Sequence, residues 1–228
     1  MLTNIFKEAE ILDKNKHKDL GLVPYVNYKF AKDVYLAPIT YEEMLVANKS
    51  LIIVFVKDTE GTIYPSVVLG GEESSNLLLD DDFVWKKNYY IPAVLRCYPF
   101  GVGTDGNNNF ITLDVESDCT VVNKGSKIIQ DTESFTDHGK KSIDFVTNVY
   151  SSIHLAKQFT DHLNSLGVLK QAEISIETEG KKYILKSGIY IVDENTLNKL
   201  ESRKLKKLAS MGYMKLIYAH LFSLNNSY

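Results

Sequence analysis

Residues able to do chemistry are scattered through this 228-residue sequence, and few share a spacing that chemistry needs. Gly101-Val-Gly-Thr-Asp-Gly106 matches the glycine fingerprint of dinucleotide sites. That mechanism requires a strand before the glycines and a helix after them, whose N-terminus meets the pyrophosphate. Here Asn107-Asn-Asn-Phe-Ile-Thr-Leu113 follows and reads as turn and then strand, so a glycine-rich hairpin loop is expected. The five histidines form no metal box, because His154 and His162 share a predicted helix without an HExxH motif or a spaced third ligand. Asp80-Asp-Asp82 lacks the alternating acids of a calcium loop and reads as a solvated turn, as does Glu72-Glu73. No GxSxG elbow is present, and no Cys–His or Ser–His nucleophile pair follows from spacing. The residues predict no metal and no cofactor, and they favour a non-catalytic protein over an enzyme.

Individual residues say more than motifs. His220 lies in Met214-Lys-Leu-Ile-Tyr-Ala-His-Leu-Phe-Ser-Leu224, a helix apolar nearly all round and therefore expected to be buried. A buried imidazole needs hydrogen-bond partners, and burial makes its pKa tunable, so His220 reads as a core histidine or as a proton handler. Trp85, Tyr89, Tyr90, Tyr98 and Phe100 crowd one region, suited to a sheet core or to recognising a sugar or peptide. Arg96 stands out by composition. Of 26 basic residues, all but Arg96 and Arg203 are Lys, so Lys is the default wherever either cation serves. An Arg beside Cys97-Tyr-Pro-Phe100 suggests a need for the planar fork, to hold a carboxylate within the protein or a ligand anion. Trp85, Arg96, Tyr98 and His220 are thus the candidate ligand-binding or interaction residues, around an expected pocket between an aromatic sheet and the C-terminal helix.

The elements that must position these side chains alternate in character. Residues 1–20 are polar and Lys-rich and read as a loosely held arm, ahead of a single unit over 21–228 with a soft seam near 117–133. Val34 to Ile39 reads as a strand, and Thr40-Tyr-Glu-Glu43 is a capping-box pattern opening a short helix. Leu51 to Val56 and Thr62 to Leu69 flank turn chemistry, and 76–79, 89–98 and 110–115 read as further strands of an antiparallel meander. From Lys140 to Leu166, Ile143, Val146, Val149, Ile153, Ala156, Phe159, Leu163 and Leu166 recur every three or four residues, marking a long amphipathic helix stopped by Gly167. Ala172 to Thr178 and Lys182 to Val192 are expected to pair across Glu179-Gly180, and helical periodicity then runs from Thr196 to Leu224 with a break at Gly212. The expected class is α+β.

Composition narrows the setting. A net charge of −3 disfavours nucleic-acid binding, which needs a concentrated basic surface. Apolar runs such as Leu51 to Val56 fall far short of the roughly 20 residues that span a bilayer, and the first ten residues contain no apolar run of signal-peptide length. Cys97 and Cys119, without a CxxC partner, fit a reducing compartment, so the protein is expected to be cytoplasmic.

Several further segments occur in a distinctive order: Tyr28-Lys-Phe-Ala31, Val54-Phe-Val-Lys57, Asn76-Leu-Leu-Leu-Asp80, Trp85, Tyr90-Ile-Pro-Ala93, and Arg96 with Tyr98-Pro-Phe100. Later come Leu166-Gly-Val-Leu169, Gly188-Ile-Tyr-Ile-Val-Asp-Glu194 and Leu216-Ile-Tyr-Ala-His-Leu-Phe-Ser-Leu224, the last being the most specific. In this order they resemble the SapC family of bacterial proteins. Cys97 stands where a second Arg is more typical, and Asp114-Val-Glu116 matches the family's acidic strand end loosely. The resemblance implies a family associated with bacterial surface-layer genes, beside those for export of the surface-layer protein, with no established catalysis. It implies protein partners among surface-layer or export components. Two other readings stand beside it: a small-ligand binder or modifying enzyme using the four candidate residues, with Arg96 as anion anchor, and a homodimer joined through the aromatic hairpin.

Overall fold

A computed structural model describes residues 3–72, 75–106, 108–178 and 180–226; Glu73, Asn107 and Glu179, read above as turn residues, lie outside them. In chain order the first strands are β1 (Ala9–Ile11), β2 (Leu20–Leu22), β3 (Leu36–Pro38), β4 (Ile53–Lys57) and β5 (Ile63–Val68), with helix α1 (Tyr41–Ala47) between β3 and β4. Helix α2 (Ala93–Arg96) precedes β6 (Phe100–Thr104), β7 (Asn109–Asp114), β8 (Thr120–Val122) and β9 (Ser126–Lys127). The long helix α3 (Asp137–Ser165) leads to β10 (Leu169–Gln171), β11 (Ile174–Thr178), β12 (Lys181–Leu185) and β13 (Ile189–Val192). Helices α4 (Glu194–Asn198), α5 (Ser202–Ser210) and α6 (Tyr213–Ser223) close the fold.

The class is α+β, with antiparallel pairing throughout the described strands. A five-stranded sheet runs β10-β13-β4-β5-β3, and a three-stranded sheet runs β1-β7-β6. The hairpins of the first half are thereby divided between two sheets. Helix α3 packs across both, burying Val146, Val149, Ile153, Ala156, Phe159 and Leu163, the stripe that its periodicity marks. Thr160 on that stripe donates to the Ile63 carbonyl at 2.6 Å, fixing the helix to β5. No helix among the described residues is long and apolar enough to cross a membrane.

Local chemistry explains where the elements begin and end. Thr40 accepts from the Glu43 amide while Glu43 accepts from the Thr40 amide, completing the capping box of α1. Gly167, at a φ of 66°, ends α3 in the left-handed conformation that glycine tolerates.

Three segments depart from the sequence expectation. Within 89–98 the chain forms α2 rather than a strand, because the Glu43 carboxylate accepts from the Ala93 amide at 2.7 Å and starts a helical turn after Pro92. At 76–79 only an isolated bridge, Leu79 to Trp85, remains of the expected strand. The hairpin after α3 stops at Leu185; Gly188, at a φ of 67°, turns the chain and sends β13 into the five-stranded sheet between β10 and β4.

The N-terminal residues also differ from the loose arm that their polarity suggests. Ile5 is buried, β1 pairs with β7, and β2 pairs with β8 and β9 across the polar seam. Their anchors are buried polar groups. The Asp114 carboxylate accepts from the Lys7 and Glu8 amides at 2.9 and 3.0 Å, and buried His17 accepts from the Asp13 amide while its other nitrogen contacts Glu10 at 2.8 Å.

Candidate functional site

His220 is fully buried on α6, and both ring nitrogens are engaged. Nε2 accepts from the Val192 amide at 3.0 Å, so the proton sits on Nδ1, which donates to the Ile53 carbonyl at 2.9 Å. The position of the two partners matters. Strands β13 and β4 pair as Ile189 with Val56 and Tyr190 with Phe55, a register that would next bring Val192 opposite Ile53. Instead of bonding each other directly, these two residues bond through the imidazole. Ser223, one turn later, accepts from the Ile53 amide at 2.9 Å and donates to the His220 carbonyl at 2.6 Å. Helix α6 is therefore wedged into the splayed end of the sheet, and its side chains take over the lost ladder bonds. The ring lies 4.8 Å from that of Phe55, and burial pushes the imidazole pKa down to about 4. The residue is neutral at neutral pH, with no free nitrogen to hand to a substrate.

Tyr98 is similarly committed. Its ring stacks on Phe30 at 3.9 Å, and its hydroxyl donates to Asp114 at 2.9 Å, joining the two backbone amides on that fully buried carboxylate. Burial and the adjacent carboxylate both push the phenol pKa upward. Trp85 is buried against Tyr28, with its indole N–H donated to the Tyr89 carbonyl at 3.2 Å. The aromatic residues expected to form an interface hairpin thus include two that pack inward.

Arg96 differs in kind. It is exposed at the end of α2 and donates to the Tyr90 hydroxyl at 3.1 Å. Its guanidinium carbon lies 5.8 Å from the Tyr90 ring centre and 5.6 Å from that of Phe145, so two aromatic faces hold the cation in place. The nearest carboxylate in the network is Glu43, reached only through Tyr90, whose hydroxyl donates to it at 3.0 Å. The oxygens of Glu43 already accept from the Thr40 amide, the Ala93 amide and Tyr90. The internal carboxylate expected for the fork is therefore not its direct partner. Among the described residues, Arg96 forms no ion pair. Burial, together with Glu43, pushes the Tyr90 pKa up to about 12, keeping the phenol protonated as a relay between the two.

Beside Arg96 opens a cavity of about 240 Å³. One wall runs from Arg96 to Phe100, a second from Leu22 to Tyr25, and a third is one face of α3 carrying His138, Ser142 and Phe145. Gly139 lets α3 lie against the chain there: a Cβ at that position would sit 2.1 Å from the Ile128 carbonyl oxygen. Cys97 and Cys119 also border the cavity; both are free, and burial pushes the Cys97 thiol up to about 12 and raises that of Cys119.

Of the four candidate residues, the structure brings Arg96 and Tyr98 to this cavity and places Trp85 and His220 elsewhere, in the Tyr28 cluster and the split sheet. The expected common pocket is corrected accordingly: the aromatic residues pack on one another, and the C-terminal helix seals against β4 and β13. Tyr90 enters the site from the aromatic group, whereas Glu43 and Phe145 are site residues that sequence reasoning does not single out, and His138 reads in sequence only as part of a helix start. The local signal at Glu43 is its capping box, which accounts for only one of its two oxygens. The glycine fingerprint is the expected hairpin, β6 to β7. A Cβ at Gly103 would lie 2.3 Å from the Phe110 ring, so that glycine makes room for an aromatic side chain. Asp80 accepts from the Asp82 and Val84 amides within its own turn, and no metal-holding cluster occurs among the described residues.

No curated protein and no solved structure matches the chain. The sequence model of the SapC family matches residues 12–228, nearly the whole length and every segment described above except β1, and the chain belongs to the SapC family.

Proposed function

We propose that this protein is a non-catalytic accessory component of surface-layer protein production or export, acting in the cytoplasm through protein contacts. One observation carries the non-catalytic part. His220, the strongest candidate for proton transfer, has both nitrogens bonded to backbone groups inside a sealed sheet. Family membership supports the surface-layer part, through that family's association with surface-layer genes. Two free thiols suit a reducing compartment. Apolar surface of the kind that partners cover occurs on α6, where Tyr218 and Phe222 are 41% and 66% exposed with rings 6.1 Å apart. The test is affinity capture of the tagged chain from its native cells under gentle lysis. Recovery of a surface-layer or export component supports the proposal, and its reproducible absence overturns it.

A second reading, a small-ligand binder, is favoured by the cavity beside Arg96 and is developed next.

A further inference from the structure

We infer that the cavity between α2, the β2 end and α3 binds a carboxylate carried on a compact apolar body, with Arg96 as its anchor. The inference rests on the ligand-binding reading and names its chemistry. The body follows from the walls. Leu22, Val23, Tyr25, Phe100 and Phe145 present apolar surface around about 240 Å³. A cavity of about 150 Å³ already holds a benzene ring, so this one has room for a ring with a short substituent. The charge follows from Arg96. Its guanidinium uses one donor on Tyr90, is flanked by two aromatic rings and has no ion pair among the described residues. The free edge of such a fork matches the two oxygens of a carboxylate. Glu43 does not take that role, because Tyr90 stands between, donating to Glu43 while it accepts from Arg96. Among the described residues the cavity adds no opposing charge of its own: burial raises the pKa of the two thiols that border it, and no Asp or Glu lines it. Arg96 is the one Arg or Lys side chain among the described lining residues, which matches a ligand carrying a single carboxylate. His138 and Ser142, on the α3 wall, offer hydrogen bonds to a polar substituent.

The same chemistry occurs in a free aryl or branched aliphatic acid and at the C-terminal residue of a protein chain. Phenylacetate stands for the first source, and acetyl-Gly-Gly-Phe with a free carboxylate for the second. Each is titrated into the full-length protein and followed by amide NMR, beside its neutral counterpart, phenylacetamide or the peptide amide. The expected result is saturable binding with Kd of about 0.1–1 mM for at least one acid, and binding at least tenfold weaker for its amide. Arg96→Gln should lower the acid's affinity about tenfold or more, and Arg96→Lys, which keeps charge but loses the fork, should lower it less. If the peptide acid binds tenfold tighter than phenylacetate, the ligand is a chain terminus; if phenylacetate binds as well or better, it is a free acid. Equal binding of acid and amide overturns the carboxylate chemistry while leaving a ligand cavity standing. No saturable response to any of the four probes overturns both. The acid–amide comparison is made on the unaltered protein, so it holds even if a variant fails to fold.

Discussion

Two polar side chains that the sequence singled out, His220 and Arg96, end in opposite circumstances. His220 is fully buried and saturated, its ring standing between Val192 and Ile53 where the sheet splits. Arg96 is exposed, held by aromatic faces and a single hydroxyl, with its remaining donors directed to no ion-pair partner among the described residues. The difference teaches that chemical type is a poor guide to function until hydrogen-bonding capacity has been counted. An imidazole whose two nitrogens are consumed by backbone groups is part of the sheet. A guanidinium with donors left over beside a cavity is available to a ligand.

The sharpest break in this comparison is His220→Leu. It leaves the Val192 amide and the Ile53 carbonyl buried without partners, and each orphan costs about 1–3 kcal/mol. A loss of about 4 kcal/mol is expected, lowering the melting temperature by roughly 8–16 °C in a chain of this size. Denaturant unfolding and a thermal melt check it.

Next in size is a pH effect. The folded-state pKa of about 4 lies below the ordinary 6.5, so the unfolded chain takes up a proton first as pH falls. The contribution of His220 is complete above pH 6.5 and is lost as pH drops toward 4. Unfolding free energy should decline by up to about 3 kcal/mol over that window. Comparing wild type with His220→Leu across the same buffers isolates this contribution: the decline should flatten in the variant.

Glu43→Gln is a smaller perturbation. It keeps an acceptor for Ala93 and Tyr90 but turns an amide donor toward the Thr40 N–H, for an expected loss of about 2 kcal/mol by chemical denaturation. Smallest of all is Arg96→Gln. As an exposed change that breaks no buried network, it should alter stability by less than about 0.5 kcal/mol. A loss as large as that of His220→Leu would place Arg96 in the structural framework and erase the contrast.

Much of the fold was legible because it depends on local spacing. The capping box of Thr40 and Glu43, the stripe of α3 and the hairpin around Gly101 to Gly106 are each set by residues a few positions apart. Burial of His220 followed from its apolar neighbours. Its partners did not, since they are backbone groups 28 and 167 positions away and carry no residue-type signal. Arg96 was visible through composition alone, against a background of Lys. Of the two partners the sequence left open for Arg96, an internal carboxylate is not its direct one, because Tyr90 lies between Arg96 and Glu43. The short helix at Ala93–Arg96 is hidden from sequence for the same reason: a distant carboxylate caps it, and a run of aromatic and branched residues looks like a strand when that cap is out of view.

The central claim is that this molecule binds at the Arg96 cavity and does no chemistry at His220. Amide shift perturbations during the phenylacetate titration test both halves at once. They should cluster at residues 22–25, 96–100 and 138–145 and leave 189–192 and 216–223 unmoved. Perturbations centred on α6 and β13, with the cavity silent, would contradict it.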